Sequence, residues 1–263
     1  MKLIIRSSRL VVCLGTTLVT LMGCAPSSPV SRADGTWSGQ DKTDPYNFSN
    51  ALNWLPRGIP TGTATIPSLE QSGIFVTQPG TTVGAVQQTG NLNLIVLPHN
   101  SLSALSGGFT LCCGQAALSL EGEVIGDVTI GSKAGPTSNQ VSGIGAIKGN
   151  VLHFSGTLGA SKGAQNEGVL KIVGNYRLLT QYAAMTSDVW KDVSTAVEVS
   201  GTAYVEGATL LIAIDDEVKG PISSYKVLTA SRIDGKFKNI LVYPSGTAEP
   251  TYSATDLTIT IHR

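Results

Sequence analysis

From residue 74 onward, apolar residues fall in short runs at 74–77, 92–97, 124–130, 170–173, 197–199, 209–214, 225–228 and 257–261. Each is about a strand long, alternates or stays apolar throughout, and is bounded by Gly, Asn, Ser or Pro. No comparable stretch keeps the 3.6-residue period of an amphipathic helix, so the pattern predicts an all-β chain.

Four positions share one signature, an aliphatic residue, any residue, then Gly: Leu120/Gly122, Ile147/Gly149, Ile172/Gly174 and Val199/Gly201. The glycines are spaced 27, 25 and 27 residues apart. A repeat of that length is the mark of a solenoid, in which one coil cannot cover its own apolar face and stacked coils bury it continuously. Gly permits corner conformations, and Asn150 and Asn175 beside two of these glycines tolerate them. Ser, Thr and Asn can then stack in ladders between coils. The alternative is a β-sandwich built of the same strands, in which spacing of this regularity is uncommon.

The first two dozen residues, MKLIIRSSRLVVCLGTTLVTLMGC, place three cations ahead of an uncharged run at 10–22. That is the layout of a secretory signal, too short to span a bilayer. Leu21, Met22, Gly23 and Cys24 resemble the lipobox of bacterial lipoproteins, although Met22 stands where a small or β-branched residue is usual. The resemblance implies cleavage before Cys24 and acylation of its thiol, with Ala25 resembling the outer-membrane sorting state. Several acyl chains, at about 0.8 kcal/mol per buried CH₂, hold a protein stably on a membrane. Cleavage nearer Ala33 would instead discard Cys24. Residues 25–29, APSSP, read as a flexible tether.

Further motifs carry a second resemblance. Gly145, Ile147, Gly149, Asn150 and Val151 are followed by Gly156-Thr157-Leu158, by Leu170, Ile172, Gly174, Asn175 and Tyr176, and by Val199, Gly201 and Ala203. Tyr225, Val227, Leu228, Thr229, Ala230, Gly235 and Phe237 close the series. This order resembles the end of autotransporter passenger regions and related surface β-solenoids. Trp37, Asn53, Trp54, Gly58, Pro60 and Ala64 resemble the opening of such passengers. The resemblance implies a right-handed parallel β-helix with caps at both ends. It divides the chain into a signal peptide at 1–23, a tether at 24–36, a Trp-bearing cap at 37–66, a solenoid at 67–216 and a C-terminal β cap at 217–263. Autotransporters continue into a membrane barrel; here lipid is expected to take its place as anchor. Trp37 and Trp54 are expected in the capping core in preference to a sugar-binding platform.

Composition narrows the function. Eighteen Lys and Arg match eighteen Asp and Glu, and loss of Lys2, Arg6 and Arg9 with the signal leaves fifteen bases against eighteen acids. A basic footprint for nucleic acid is absent. With Cys13 in the signal and Cys24 lipidated, Cys112 and Cys113 remain in the body. They either close a strained vicinal ring or sit one inside and one outside a strand; the second reading is preferred. A metal site with His99 lacks the paired ligand spacing of zinc motifs.

Gly159-Ala160-Ser161-Lys162-Gly163 spells the G-x-S-x-G of a hydrolase nucleophile elbow, with His262 and Asp215 or Asp234 in triad order. No helical stretch follows it, as an elbow requires. Parallel β-helices also host polysaccharide lyases and glycosidases, which need clustered carboxylates. The weak catalytic candidates are therefore Asp215, Asp216 and Glu217, although three adjacent acids on a turn usually only solvate it. Glu121 and Glu123 share a face if extended, with Asp127 on it only if the strand is unbroken. His153 reads as a stacked polar position. No cofactor or metal is expected. The sequence points to a non-catalytic, lipid-anchored protein of the bacterial outer membrane, a spacer or adhesin. Glycans or other envelope proteins are the candidate partners, and a carbohydrate-binding or carbohydrate-active coil, or a subunit of an envelope assembly, are the alternatives.

Overall fold

The computed structural model describes residues 32–162, 168–190, 193–215, 218 and 222–262. Parallel strands stack into a β-solenoid of about six turns with three faces. The first face is a sheet of strands Gly73–Val76, Asn93–Val96, Ala117–Leu120, Gln140–Gly143, Gly156–Ala160, Ala183–Trp190, Thr209–Ile214 and Asn239–Tyr243, each parallel to the next. The second face holds Glu123–Ile125, Ala146–Lys148 and Val169–Ile172; the third holds Val128–Ile130, Val151–His153 and Tyr176–Leu178. The longer strands Ser101–Leu111 and Ala196–Tyr204 each pair with members of both, so the two faces are one sheet folded at a corner.

Register explains why the strands pile up. On the first face the inward residues Ile74, Leu94, Leu118, Val141, Leu158, Met185 and Leu210 lie directly over one another, and all are fully buried. Leu102, Val124, Ile147, Ile172 and Val199 form the matching column of the second face. Burying each such aliphatic side chain contributes about 1.5–3 kcal/mol, and a one-residue slip would turn the whole column outward.

The glycine signature belongs to one corner, with one correction. Gly149 lies against the carbonyl of Gly126, Gly174 against that of Gly149, and a Cβ on Gly201 would fall 2.6 Å from that of Gly174. Backbone approaches so closely there that no side chain fits. Gly122 does not belong to this column. It sits at the preceding corner under Gly145, and the true first member is Gly126, with Val124 as its aliphatic residue.

Parallel pairing takes in Thr63–Ile66 and continues to Asn239–Tyr243, so the coil reaches beyond 67–216 on both sides. At the N-terminal end, Gly35–Trp37 pairs parallel with Thr63–Ile66 and antiparallel with Trp54–Leu55. Trp54 packs edge-on against Trp37 and Phe48, each at a centroid distance of 5.0 Å. Buried indoles need partners for their N–H groups, and both have them: Trp37 donates to Gln71 Oε1 at 3.1 Å and Trp54 to the Phe48 carbonyl at 2.9 Å. Both tryptophans thus form capping core, as expected of them. At the other end, Asp256–His262 lies antiparallel between Ile222–Asp234 and the outermost strand Thr247–Tyr252.

Candidate functional site

The most organised polar feature of the lateral surface is a ladder at the glycine corner. Asp127 Oδ1 accepts the Asn150 amide at 2.7 Å and its Nδ2 at 3.2 Å; Asn150 Oδ1 accepts the Asn175 amide at 3.0 Å and its Nδ2 at 3.2 Å. Asn175 Oδ1 accepts the Thr202 amide at 2.9 Å. Each carboxamide serves the rung above it, so these groups satisfy corner backbone that parallel strands leave unpaired. Beside the ladder a shallow depression of about 320 Å³ is lined by Asn150, Leu152, Asn175 and Arg177. The Arg177 guanidinium lies 4.2 Å from the Tyr204 ring centre and covers its face. The motif reading did not single out Arg177 or Tyr204; they stand on adjacent rungs of one outward column, and only the register reveals it.

A second depression, of about 360 Å³, lies one corner earlier among His99, Glu121, Glu123 and Lys171. The strand Glu123–Ile125 ends before Gly126, so the extended run read from Glu121 to Asp127 is broken: Glu121 and Asp127 occupy different corners. Glu123 pairs with Lys148 at 2.7 Å, both partly exposed. Among the described residues no three His, Cys, Asp or Glu side chains gather to hold a metal ion.

The remaining candidates are dispersed. Ser161 follows Gly156–Ala160 and donates its amide to the Gly143 carbonyl at 2.9 Å. His262 sits on the last antiparallel strand, its Nε2 3.8 Å from Glu249, while Asp234 faces Arg232 at 3.8 Å. Asp215 follows the rung Thr209–Ile214, its amide donating to the Val189 carbonyl and its own carbonyl accepting from the Val218 amide. Asp216 and Glu217 lie outside the described residues, as does Cys24.

His153 faces inward. It is fully buried, stacked on Tyr176, with Nδ1 3.0 Å from the Tyr176 hydroxyl and no hydrogen-bond partner at Nε2. Burial lowers its pKa to about 4, opposed in part by backbone groups of Gly156 and Ser155, and the same burial raises Tyr176 well above the ordinary phenol value. His153 is therefore a neutral core group, stacked as expected but removed from any surface chemistry. Cys112 and Cys113 do not straddle a strand as preferred above: Ser101–Leu111 ends before them. A search of protein-family models found no match to the chain, and neither did a search of curated proteins.

Proposed function

We propose that the chain is an exported, lipid-anchored protein of the bacterial outer membrane, similar to autotransporter passengers, whose solenoid serves without catalysis as a rigid spacer or adhesive surface. The observation that supports this reading is the use of lateral polar groups. Asp127, Asn150 and Asn175 bond from rung to rung, and Glu123 bonds Lys148, so they stiffen the coil instead of converging on one point where a bond could be broken. Acylation at Cys24 would fasten the N-terminal end of the coil to the membrane. Its partners would be glycans or other envelope proteins met along the lateral faces.

Two experiments test the halves of the proposal. In cells given a fatty-acid probe, the protein should carry label and partition into detergent, and Cys24→Ser should abolish both; label on the Cys24→Ser protein would refute the anchor. A glycan array read beside a polysaccharide depolymerisation assay separates adhesion from catalysis. Depolymerisation that is lost on Asp216→Asn would overturn the non-catalytic reading in favour of a carbohydrate-active coil.

A further inference from the structure

The corner after Ser101–Leu111 carries two neighbouring free thiols, Cys112 and Cys113. In an extended strand neighbouring side chains point to opposite faces, which would hold the two sulfurs apart. Here the strand has ended, and Cys113 takes φ +66°, a left-handed conformation seldom adopted by a residue with a side chain. The two thiols, neighbours in sequence, therefore lie in a turn outside the regular strand, where the alternation that separates them no longer applies. Their corner is held by neighbouring rungs. The Cys112 amide donates to the Gln88 carbonyl at 3.0 Å, the Leu111 carbonyl accepts from Asn139 Nδ2 at 3.2 Å, and the Gly114 carbonyl accepts from the Ser138 amide at 3.3 Å. Both cysteines are free; Cys113 is exposed and Cys112 half-buried.

We propose that Cys112 and Cys113 are a reversible redox site, a vicinal dithiol that low-molecular-weight disulfides oxidise to an eight-membered disulfide ring. The inference rests on the corner geometry and not on the proposed export. The exposed Cys113 thiolate attacks one sulfur of a disulfide RSSR; the S–S bond breaks, RS⁻ leaves and takes a proton from water, and a mixed disulfide remains on Cys113. Cys112 then gives its proton to solvent and attacks the Cys113 sulfur, expelling the second RSH. The dithiol loses two electrons and two protons, and RSSR gains them as two RSH. The order follows from the environment: burial, with the neighbouring thiol adding to it, pushes the Cys112 thiol up to about 11, which suits it to resolve the adduct and not to start the exchange.

The ring is of the labile kind. Adjacent Cα atoms are about 3.8 Å apart across a trans peptide, shorter than the roughly 4.4–6.8 Å of ordinary disulfides. The strain and the exposure make it readily reducible, and because it closes no chain loop it adds little to stability. It therefore cycles with its surroundings and does not staple the fold.

The test is oxidation of the dilute full-length protein with glutathione disulfide, alkylation of remaining thiols, and peptide mass spectrometry. The expected product is a peptide containing both cysteines that is two hydrogens lighter, unalkylated, formed at a rate independent of protein concentration and reversed by dithiothreitol. In Cys112→Ser the reaction should stop at a glutathione adduct on Cys113, present at least roughly tenfold above its wild-type level, because the adjacent resolving thiol acts intramolecularly. Alkylation of both cysteines after oxidation, a persistent adduct on the wild type, or a bridge to Cys13, Cys24 or a second chain would each overturn the proposal.

Discussion

The neutral imidazole inside the coil should make the protein acid-sensitive through one identifiable group. His153 occupies the inward column Ile66, Gln88, Leu111, Ile130, His153 and Leu178, in which every residue but Gln88 and His153 is aliphatic. Gln88 satisfies its Nε2 on the carbonyls of Leu92 and Ala117, at 3.1 and 3.0 Å. His153 has the Tyr176 hydroxyl at Nδ1 and no hydrogen-bond partner at Nε2, and a proton on the ring would be charge in a largely aliphatic interior. Its pKa falls from 6.5 in the unfolded chain to about 4 in the fold. Between those values the unfolded state holds a proton that the folded state does not, so stability is intact above pH 6.5 and falls as the pH drops toward 4. At pH 4.5 the loss from this residue is about 2–3 kcal/mol, at roughly 1.4 kcal/mol per pKa unit.

The assay is urea unfolding of wild type and His153→Leu at pH 7.5 and 4.5, followed by tryptophan fluorescence and circular dichroism. At pH 7.5 the variant should be weaker by about 1–3 kcal/mol, because the buried Tyr176 hydroxyl loses its partner. Asp188, raised by burial, gains stability as the pH falls through this window, whereas Asp41, lowered chiefly by the Thr43 amide, and Asp256, lowered chiefly by Lys226, keep theirs at pH 4.5 and lose it only below the ordinary carboxylate value of 3.8. Those contributions are common to both proteins and cancel in the difference. Wild type should therefore lose about 2–3 kcal/mol more than His153→Leu on acidification. Equal losses in the two would refute a buried neutral imidazole.

Trp54→Ala removes the ring that joins Trp37 to Phe48 and should cost about 3–5 kcal/mol, read as a lower melting temperature. Gly201→Ala sets a Cβ 2.6 Å from both the Gly174 carbonyl and Asn175 Oδ1 and should destabilise by about 1–3 kcal/mol in urea unfolding, whereas the same change at Gly80, with nothing near its Cβ but a φ of +72°, should cost only about 1 kcal/mol through backbone strain. Asn150→Asp sets a second carboxylate against Asp127 in the corner ladder; it should weaken the fold at pH 7 and recover much of the loss at pH 4, when one carboxyl is protonated.

The architecture was legible because burial on a coil demands the same residue type at the same place on every rung. Strand 209–214 was located to the residue, and the column Ile147, Ile172, Val199 was recognised from its spacing alone. What spacing could not reveal is that coils differ in length. On the third face successive partners Val128, Val151, Tyr176, Ala203 and Ile233 are 23, 25, 27 and 30 residues apart. A search for one period therefore joined Gly122 to Gly149, across two different corners, and passed over Gly126. The polar surface was less legible still. Arg177 over Tyr204 and Lys148 on Glu123 are contacts between rungs, invisible until the register is known. His153 was placed as a stacked residue, but its run alternates like any other and does not say which face is inward.

The two ends of the coil show what the repeat itself cannot supply. A stack of parallel rungs exposes unpaired backbone at its first and last strand, and each invites another chain to add on. At the N-terminal end the problem is met by cover: the Phe75 amide donates to the Tyr46 carbonyl at 2.7 Å, the Phe75 carbonyl accepts from Phe48 at 2.9 Å, and the aromatic cap closes over the opening. At the C-terminal end the chain reverses instead, and Asp256–His262 turns the parallel sheet into an antiparallel one. Its outermost strand, Thr247–Tyr252, carries Pro250, which has no N–H to offer a further strand. The last rung of the first face, Asn239–Tyr243, pairs on one side only, with Leu241 and Tyr243 exposed. It is kept short, with exposed Lys236 and Lys238 before it and Pro244 directly after. Positive charge and a missing donor at either end of a five-residue edge are the devices by which sheet proteins discourage growth. A coil whose interior would accept further rungs without limit is thus stopped by residues that have nothing to do with its repeat. That is why the repeat located the stacked body, whereas the closing devices, Pro250, Pro244 and the lysines before the last rung, carry no trace of it.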